Sequence, residues 1–207
     1  QQGMPSPESS LLAEAGRRLG RPCRWMSERT EAMLSDNAGR DLVSTAELAF
    51  DAEHRVIGYR CDVLSNLGAY NSEYAQHIQS SLAMKVLTGV YDIPQAYMRV
   101  RGIFTNTTQV DAYRGAGRPE AIYTLERTMD FAARELEIDP WELRRINLIR
   151  PDQMPYKAVS GEVYDVGEFE RLLRRAVVES DREGFNHRKI QSAMNGKLRG
   201  VGLCYYI

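Results

Sequence analysis

The nine residues Ala112–Glu120, AYRGAGRPE, set two glycines between two arginines and then run through a proline into a helical pattern. Gly115 and Gly117 permit positive φ angles and a close approach of backbone to ligand. Pro119 and Glu120 start a helix, whose first N–H groups are expected to be free to face whatever binds. Arg114 and Arg118 add two planar guanidinium forks that match phosphate or carboxylate geometry. The set suits an anionic cofactor. Composition leaves a second reading open, a plain turn carrying two solvated arginines. A dinucleotide fingerprint would need glycine at the position of Glu120, and a phosphate-binding P-loop would need a GK[ST] that does not follow.

Other reactive residue types form no comparable group. Cys23, Cys61 and Cys204 lie far apart without a CxxC, against both a disulfide framework and a zinc knuckle, and are read as reduced, buried thiols. His54, His77 and His187 make no HExxH and no cluster, and are read as surface or hydrogen-bonded core residues. Asn106-Thr107-Thr108 matches a glycosylation acceptor, but no secretory signal accompanies it. No residue is assigned as a catalytic group or as a direct metal ligand.

The elements around the loop must come from one sizeable core or two small ones, since 207 residues with 43% apolar content describe a globular chain. Lys and Arg number 27 against 28 Asp and Glu, so no long-range field points to nucleic acid or an anionic membrane surface. No apolar run approaches the roughly 18–20 residues that span a bilayer, and a cytoplasmic setting is the expectation.

Along the chain, Ser6 is expected to cap a helix with Pro7 at its first position. Leu11, Leu12, Ala15 and Leu19 form its apolar face, and Gly20 with Pro22 ends it. Alternation predicts strands over 44–50 and 55–66, with Ile57, Tyr59, Cys61 and Val63 on one side and Val56, Gly58, Arg60 and Asp62 on the other; "DAEH" between them reads as a hairpin turn. A further strand is expected over 96–104, then a loop long enough to imply binding. Ile122, Leu125, Met129, Ala132, Ala133 and Leu136 recur at helical spacing as a core stripe.

In "DPWELRRINLI", Asp139 caps a helix, Pro140 takes its first position and Glu142 reaches back as in a capping box. The same device is expected of Asp165 and Glu168 before a helix that buries Phe169, Leu172, Leu173 and Ala176. The proline-rich, polar stretch near 150–163 reads as a subdomain boundary, and "RGVGLCYYI" at the end looks like a strand. The fold class is α+β, a mixed sheet with packed helices.

The stretches "RRLGRPCRW", "SERTEAMLSD", "DIPQAYMRVRG", "AYRGAGRPEA", "DPWELRRINLI" and "YDVGEFERLL", in this order, resemble the molybdopterin-binding large subunit of the xanthine dehydrogenase and aldehyde oxidase family. Within it the chain most resembles second-form carbon monoxide dehydrogenase large chains, whose active-site loop reads AYRGAGR. The resemblance spans nearly all 207 residues.

It implies a piece of a molybdenum hydroxylase that oxidises an aldehyde or heteroaromatic small molecule with water-derived oxygen and passes electrons to iron–sulfur and FAD subunits. The implied cofactor is molybdenum–molybdopterin as the cytosine dinucleotide, and the implied assembly is a homodimer of the heterotrimer. Tyr113, Arg114, Gly115, Ala116, Gly117 and Arg118 become the cofactor-binding residues, with the N–H groups of Arg114 and Gly115 beside the metal. The implied division is a first molybdopterin-binding subdomain, partial, over 1–150, a linker over 151–163, and the start of a second subdomain over 164–207.

Three departures refine the reading. Gly115 stands where a copper-holding cysteine would follow the arginine, against carbon monoxide as substrate. Ala116 stands where purine hydroxylases carry a stacking phenylalanine, against purines. The family's GGGFG loop, glutamine-glycine loop and catalytic glutamate loop do not occur in this sequence. An internal segment of a longer chain is therefore expected, inactive and free of tightly bound cofactor by itself. The competing reading is a non-catalytic anion-binding or subunit-interaction module with the same fold.

Overall fold

The computed structural model describes residues 7–207. The expected cap Ser6 lies outside them.

Two strands, β1 (Leu42–Phe50) and β2 (Val56–Gly68), form an antiparallel hairpin, and β3 (Ala96–Phe104) adds in parallel to the other edge of β2. The sheet is thus mixed and the fold is α+β, as the sequence predicts. The hairpin turn has a local cause: the Asp51 Oδ1 accepts from the N–H groups of Glu53 (3.0 Å) and Arg55 (2.8 Å), and His54 takes φ 62°.

The inward face of β2 corrects the expected phase. Tyr59, Cys61 and Val63 are buried as predicted, but Ile57 is exposed and Val56 is buried in its place. A bulge after Ala49 pairs Phe50 with Val56, and the Val56 N–H donates instead to the buried Asn147 Oδ1 at 2.7 Å. A partner 91 residues away therefore sets the side of the first strand residue.

Before the sheet lie α1 (Pro7–Leu19) and α2 (Arg29–Ser35). The helix over 7–19 forms as expected, but its apolar face does not bury: Leu11 and Leu19 are exposed, and Leu12 and Ala15 are only half-buried. Between β2 and β3, α3 (Ala75–His77) runs into a π-helical turn, Ile78–Leu82. After the long loop, α4 (Arg118–Glu135) lays its predicted stripe on the inner face of the sheet; Leu125 and Met129 are fully buried there.

In α5 (Pro140–Asn147) the Asp139 cap is present, accepting from the Trp141 and Glu142 N–H groups. Glu142 does not complete a capping box; Arg145 takes its carboxylate through two 2.7 Å bonds. Residues 151–164 form a 3₁₀ turn (Pro151–Gln153) and a small hairpin, β4 (Tyr156–Lys157) with β5 (Val163–Tyr164). This unit contacts residues 89–92: Gln153 and Tyr156 donate to the Asp92 carboxylate, and the Tyr164 hydroxyl donates to the Gly89 carbonyl.

Next come α6 (Phe169–Glu179) and α7 (Phe185–Met194). The capping device expected of Asp165 and Glu168 is not made: α6 begins at Phe169, so Glu168 itself stands at the N-cap position in place of Asp165, and its carboxylate accepts from Arg171 (2.5 Å) rather than from a backbone N–H. Leu173 is buried with Phe169 and Ala176 partly so, whereas Leu172 is exposed on the far side. The final run over 199–207 joins no ladder among the described residues. It packs by side chains, with Tyr205 edge-on to Tyr91 and Phe169 and its hydroxyl donating to the Phe169 carbonyl. Of the three thiols only Cys61 is buried; Cys23 is half-buried and Cys204 exposed, so the expectation of buried cysteines holds for one.

Burial, with Glu126 nearby, pushes the Tyr205 hydroxyl up to about 12 and that of Tyr91 well above the ordinary range. A phenol held neutral in the folded state stabilises it fully below the unfolded pKa of about 10, and that contribution is lost as pH rises through the folded value. The urea midpoint should therefore hold steady from about pH 7 to 9 and fall between about pH 10 and 12. A flat profile through that upper window would contradict the burial of these hydroxyls.

Candidate functional site

The AYRGAGRPE loop follows β3, and its base is held before it reaches the glycines. Val110 is buried and bridges in parallel to Ala38: the Ala38 N–H donates to the Gln109 carbonyl (2.9 Å) and the Asp111 N–H to the Ala38 carbonyl (3.1 Å). The Ser72 hydroxyl donates to the Val110 carbonyl at 2.8 Å. This pairing brings residues 37–40 alongside the loop and sets Arg40 against it.

Two successive turns shape the loop itself. The Ala116 N–H donates to the Tyr113 carbonyl (2.9 Å), and the Arg118 N–H to the Gly115 carbonyl (3.2 Å), with Gly115 at φ 94° and Gly117 at φ 88°. Gly117 is pressed onto the π-helical turn, where an added Cβ would strike the Ile78 carbonyl oxygen and lie 2.7 Å from the Ala83 nitrogen. The π turn thus has a packing role, as a seat for the second glycine.

The expected row of free donors at the helix start is shorter than foreseen. The Arg118 N–H is used within the loop, Pro119 has none, and the Ala121 N–H returns to the Gly117 carbonyl (3.1 Å). The Glu120 N–H has no hydrogen-bond partner among the described residues, and neither, one turn earlier, do the N–H groups of Tyr113, Arg114, Gly115 and Gly117. Arg114, exposed, and Arg118, half-buried, make no ion pair among the described residues either. Tyr113 is exposed beside them, and Ala116 fills the turn between the glycines. Of the six expected residues, Tyr113 and Arg114 are exposed and Gly115, Ala116 and Arg118 half-buried, forming one short surface rich in donors, while Gly117 is buried against the π turn. Its chemistry fits an anionic group.

Two residues of this site were not read as functional from the sequence. Arg40 stacks its guanidinium 4.9 Å from the Tyr113 ring centroid, donates to the Arg114 carbonyl, and pairs with the Glu120 Oε1 at 3.0 Å. Glu120 stands in the quoted motif, but its carboxylate is buried, and its second oxygen has no partner among the described residues. Arg40 is 74 residues from Arg114, and no local pattern marks it. A lone carboxylate closing an arginine-rich loop was the available hint for Glu120. Among the described residues no group of three or more His, Cys, Asp or Glu could hold a metal ion, and no helix is long and apolar enough to cross a membrane.

The structure is an α+β domain in which a mixed sheet carries a glycine-arginine loop ahead of its main helix. Residues 3–148 match the model of the molybdopterin cofactor-binding domain, and the chain belongs to that family. It is 32% identical over 202 residues to the 6-hydroxypseudooxynicotine dehydrogenase complex subunit gamma of Paenarthrobacter nicotinovorans, covering 95% of this chain and 25% of that one. It is also 32% identical over 199 residues to the carbon monoxide dehydrogenase large chain of Afipia carboxidovorans, covering 91% and 24%. Among solved structures, quinoline 2-oxidoreductase from Pseudomonas putida 86 superimposes with a TM-score of 0.79 at 29% identity, over 92% of this chain and 24% of that one. The chain thus spans about a quarter of the length of the relatives it matches.

Proposed function

We propose that this chain forms one wall of the molybdenum–pterin pocket of a molybdenum hydroxylase, with Tyr113, Arg114, Gly115, Ala116, Gly117 and Arg118 as its contact loop. The observation that carries the reading is the set of uncommitted donors on one loop: two unpaired guanidinium groups beside backbone N–H groups, those of Arg114 and Gly115 among them, that have no partner among the described residues. When bound, the molybdenum–pterin group supplies the oxidative chemistry. The chain's own part is to grip and orient that group: the arginines meet its anionic oxygens, and the backbone presents donors at a distance that only glycine permits.

The parent enzyme acts on an aldehyde or heteroaromatic small molecule. Gly115 offers no thiolate for copper and Ala116 no aromatic clamp, which disfavours carbon monoxide and purines. Iron–sulfur and FAD subunits complete the electron path in a cytoplasmic homodimer of heterotrimers, and the pterin is the cytosine dinucleotide. The chain divides into 1–150, a 151–163 linker and 164–207; the end of the family match at residue 148 supports the first of these boundaries. By itself the 207-residue chain retains no cofactor tightly, because one loop supplies too few contacts.

The test is molybdenum and pterin analysis of the complete protein beside hydroxylase turnover. Arg114 and Arg118 have no partners to lose, so Arg114→Gln with Arg118→Gln should leave stability within about 0.5 kcal/mol while cofactor content falls. Arg114→Lys keeps the charge without the fork and should lower turnover with occupancy mostly retained. Gly115→Val should lower both; a Cβ there lies 2.8 Å from the Pro119 Cγ at a φ of 94°, so the loop must move. Full molybdenum and full turnover in the double arginine variant would remove the loop from the cofactor site. A complete protein that carries no cofactor would favour the non-catalytic module.

A further inference from the structure

We propose that Arg40 and Glu120 are positioning residues that fix the orientation of the Arg114–Gly115 peptide and so decide which way the Gly115 N–H points. What that N–H faces rests on the function proposed above; the orientation itself rests on contacts within the chain.

Glycine is the residue most able to let a neighbouring peptide flip, because both positive and negative φ are open to it. Gly115, at φ 94°, leaves the 114–115 peptide free of intrinsic preference, and neither turn bond of the loop engages that peptide's own N–H or C=O. Arg40 does. Its guanidinium donates to the Arg114 carbonyl, and because the peptide is trans, the Gly115 N–H in the same plane must point the opposite way. Holding the carbonyl on Arg40 therefore holds the donor on the opposite side of the peptide.

Arg40 is itself fixed from three sides. The Ala38–Val110 bridge anchors its backbone two residues away, the Tyr113 ring lies against its guanidinium plane, and the Glu120 carboxylate pairs with its charge 3.0 Å from the Nε. Glu120 is buried on the first turn of α4, and its other oxygen is unpartnered, so Arg40 is the one cation that meets its charge among the described residues. A planar fork can serve a carboxylate and a carbonyl at once while stacking on a ring; a lysine ammonium cannot. The clamp ties the start of the loop to its end through a third segment.

The experiment measures amide exchange in the holoprotein for Ala116 and Arg118, whose N–H groups make the two turn bonds, with Leu125 and Met129 of α4 as reference. Arg40→Lys keeps a cation near Glu120 but loses the fork. Arg40→Met with Glu120→Gln removes the clamp without leaving a buried charge unpaired. Both should speed exchange at Ala116 and Arg118 about tenfold, the loss of one charge-assisted hydrogen bond, with Leu125 and Met129 unchanged. Cofactor content should fall in parallel. Wild-type exchange at Ala116 and Arg118 in both variants overturns the proposal, and so does an equal rise at all four amides, which marks general destabilisation. If the loop amides are freed while the Arg114→Gln, Arg118→Gln protein keeps its cofactor, the clamp stands and the reading of the loop as a cofactor contact falls.

Discussion

Gly117→Ala is expected to destabilise the chain by about 3 kcal/mol, lowering the melting temperature by roughly 6–12 °C for a domain of this size. Two costs add at this position. The φ of 88° is strained for any residue with a Cβ, and the new methyl would meet backbone rather than a movable side chain, at the Ile78 carbonyl and the Ala83 nitrogen. Relief would require the π-helical turn and the start of α4 to separate. Gly200→Ala is the matched control, since a Cβ there meets nothing within 4 Å and φ is not positive. Thermal melts that place the two variants within about 1 °C of each other would show that the loop does not seat on the π turn as described.

Arg144→Leu should be costlier still, about 3–5 kcal/mol, the range for removing one partner of a buried ion pair. The Arg144 side chain is 0% exposed, and every arm is used: Nε donates to the Glu126 Oε2 (2.8 Å), one terminal nitrogen to the Pro140 carbonyl (3.0 Å) and the other to the Glu126 carbonyl (3.1 Å), where it also forms an ion pair with the Asp130 Oδ1 (2.9 Å). The Tyr91 hydroxyl donates to the Glu126 Oε1 (2.7 Å), completing the network between α4, α5 and residue 91. Without the guanidinium, the buried Glu126 carboxylate keeps the tyrosine alone. Arg144→Leu with Glu126→Leu should recover part of the loss, because the double change leaves less charge uncompensated. Urea unfolding checks both; a single variant within about 1 kcal/mol of the parent would mean that the network contributes no more than an exposed pair.

Several elements were legible because their signals are local. The stripe from Ile122 to Leu136 is a period that only a helix can bury on one side, and α4 buries it. The predicted strand over 96–104 forms over those residues, the Asp51 turn closes on its own backbone, and Asp139 caps its own helix. The motif AYRGAGRPE likewise carried its glycines, its two arginines and its helix start in nine consecutive residues. Each needs only neighbours within a few positions.

Other features depend on residues far along the chain. Val56 turns inward because Asn147 takes its N–H; Leu11 and Leu19 stay exposed because a helical period does not supply a partner surface; and the last apolar run packs through Tyr205 without joining the sheet. The glycine loop itself was readable as an anion site, but which of its donors are free was not. Backbone pairing at Ala38 and Val110 delivers Arg40 to the Arg114 carbonyl, and the buried Glu120 holds it there. Residue types and short spacings therefore determine what chemistry the loop can perform. The direction in which it presents its donors is a property of peptide planes and ion pairs between distant segments, and folding alone brings those together.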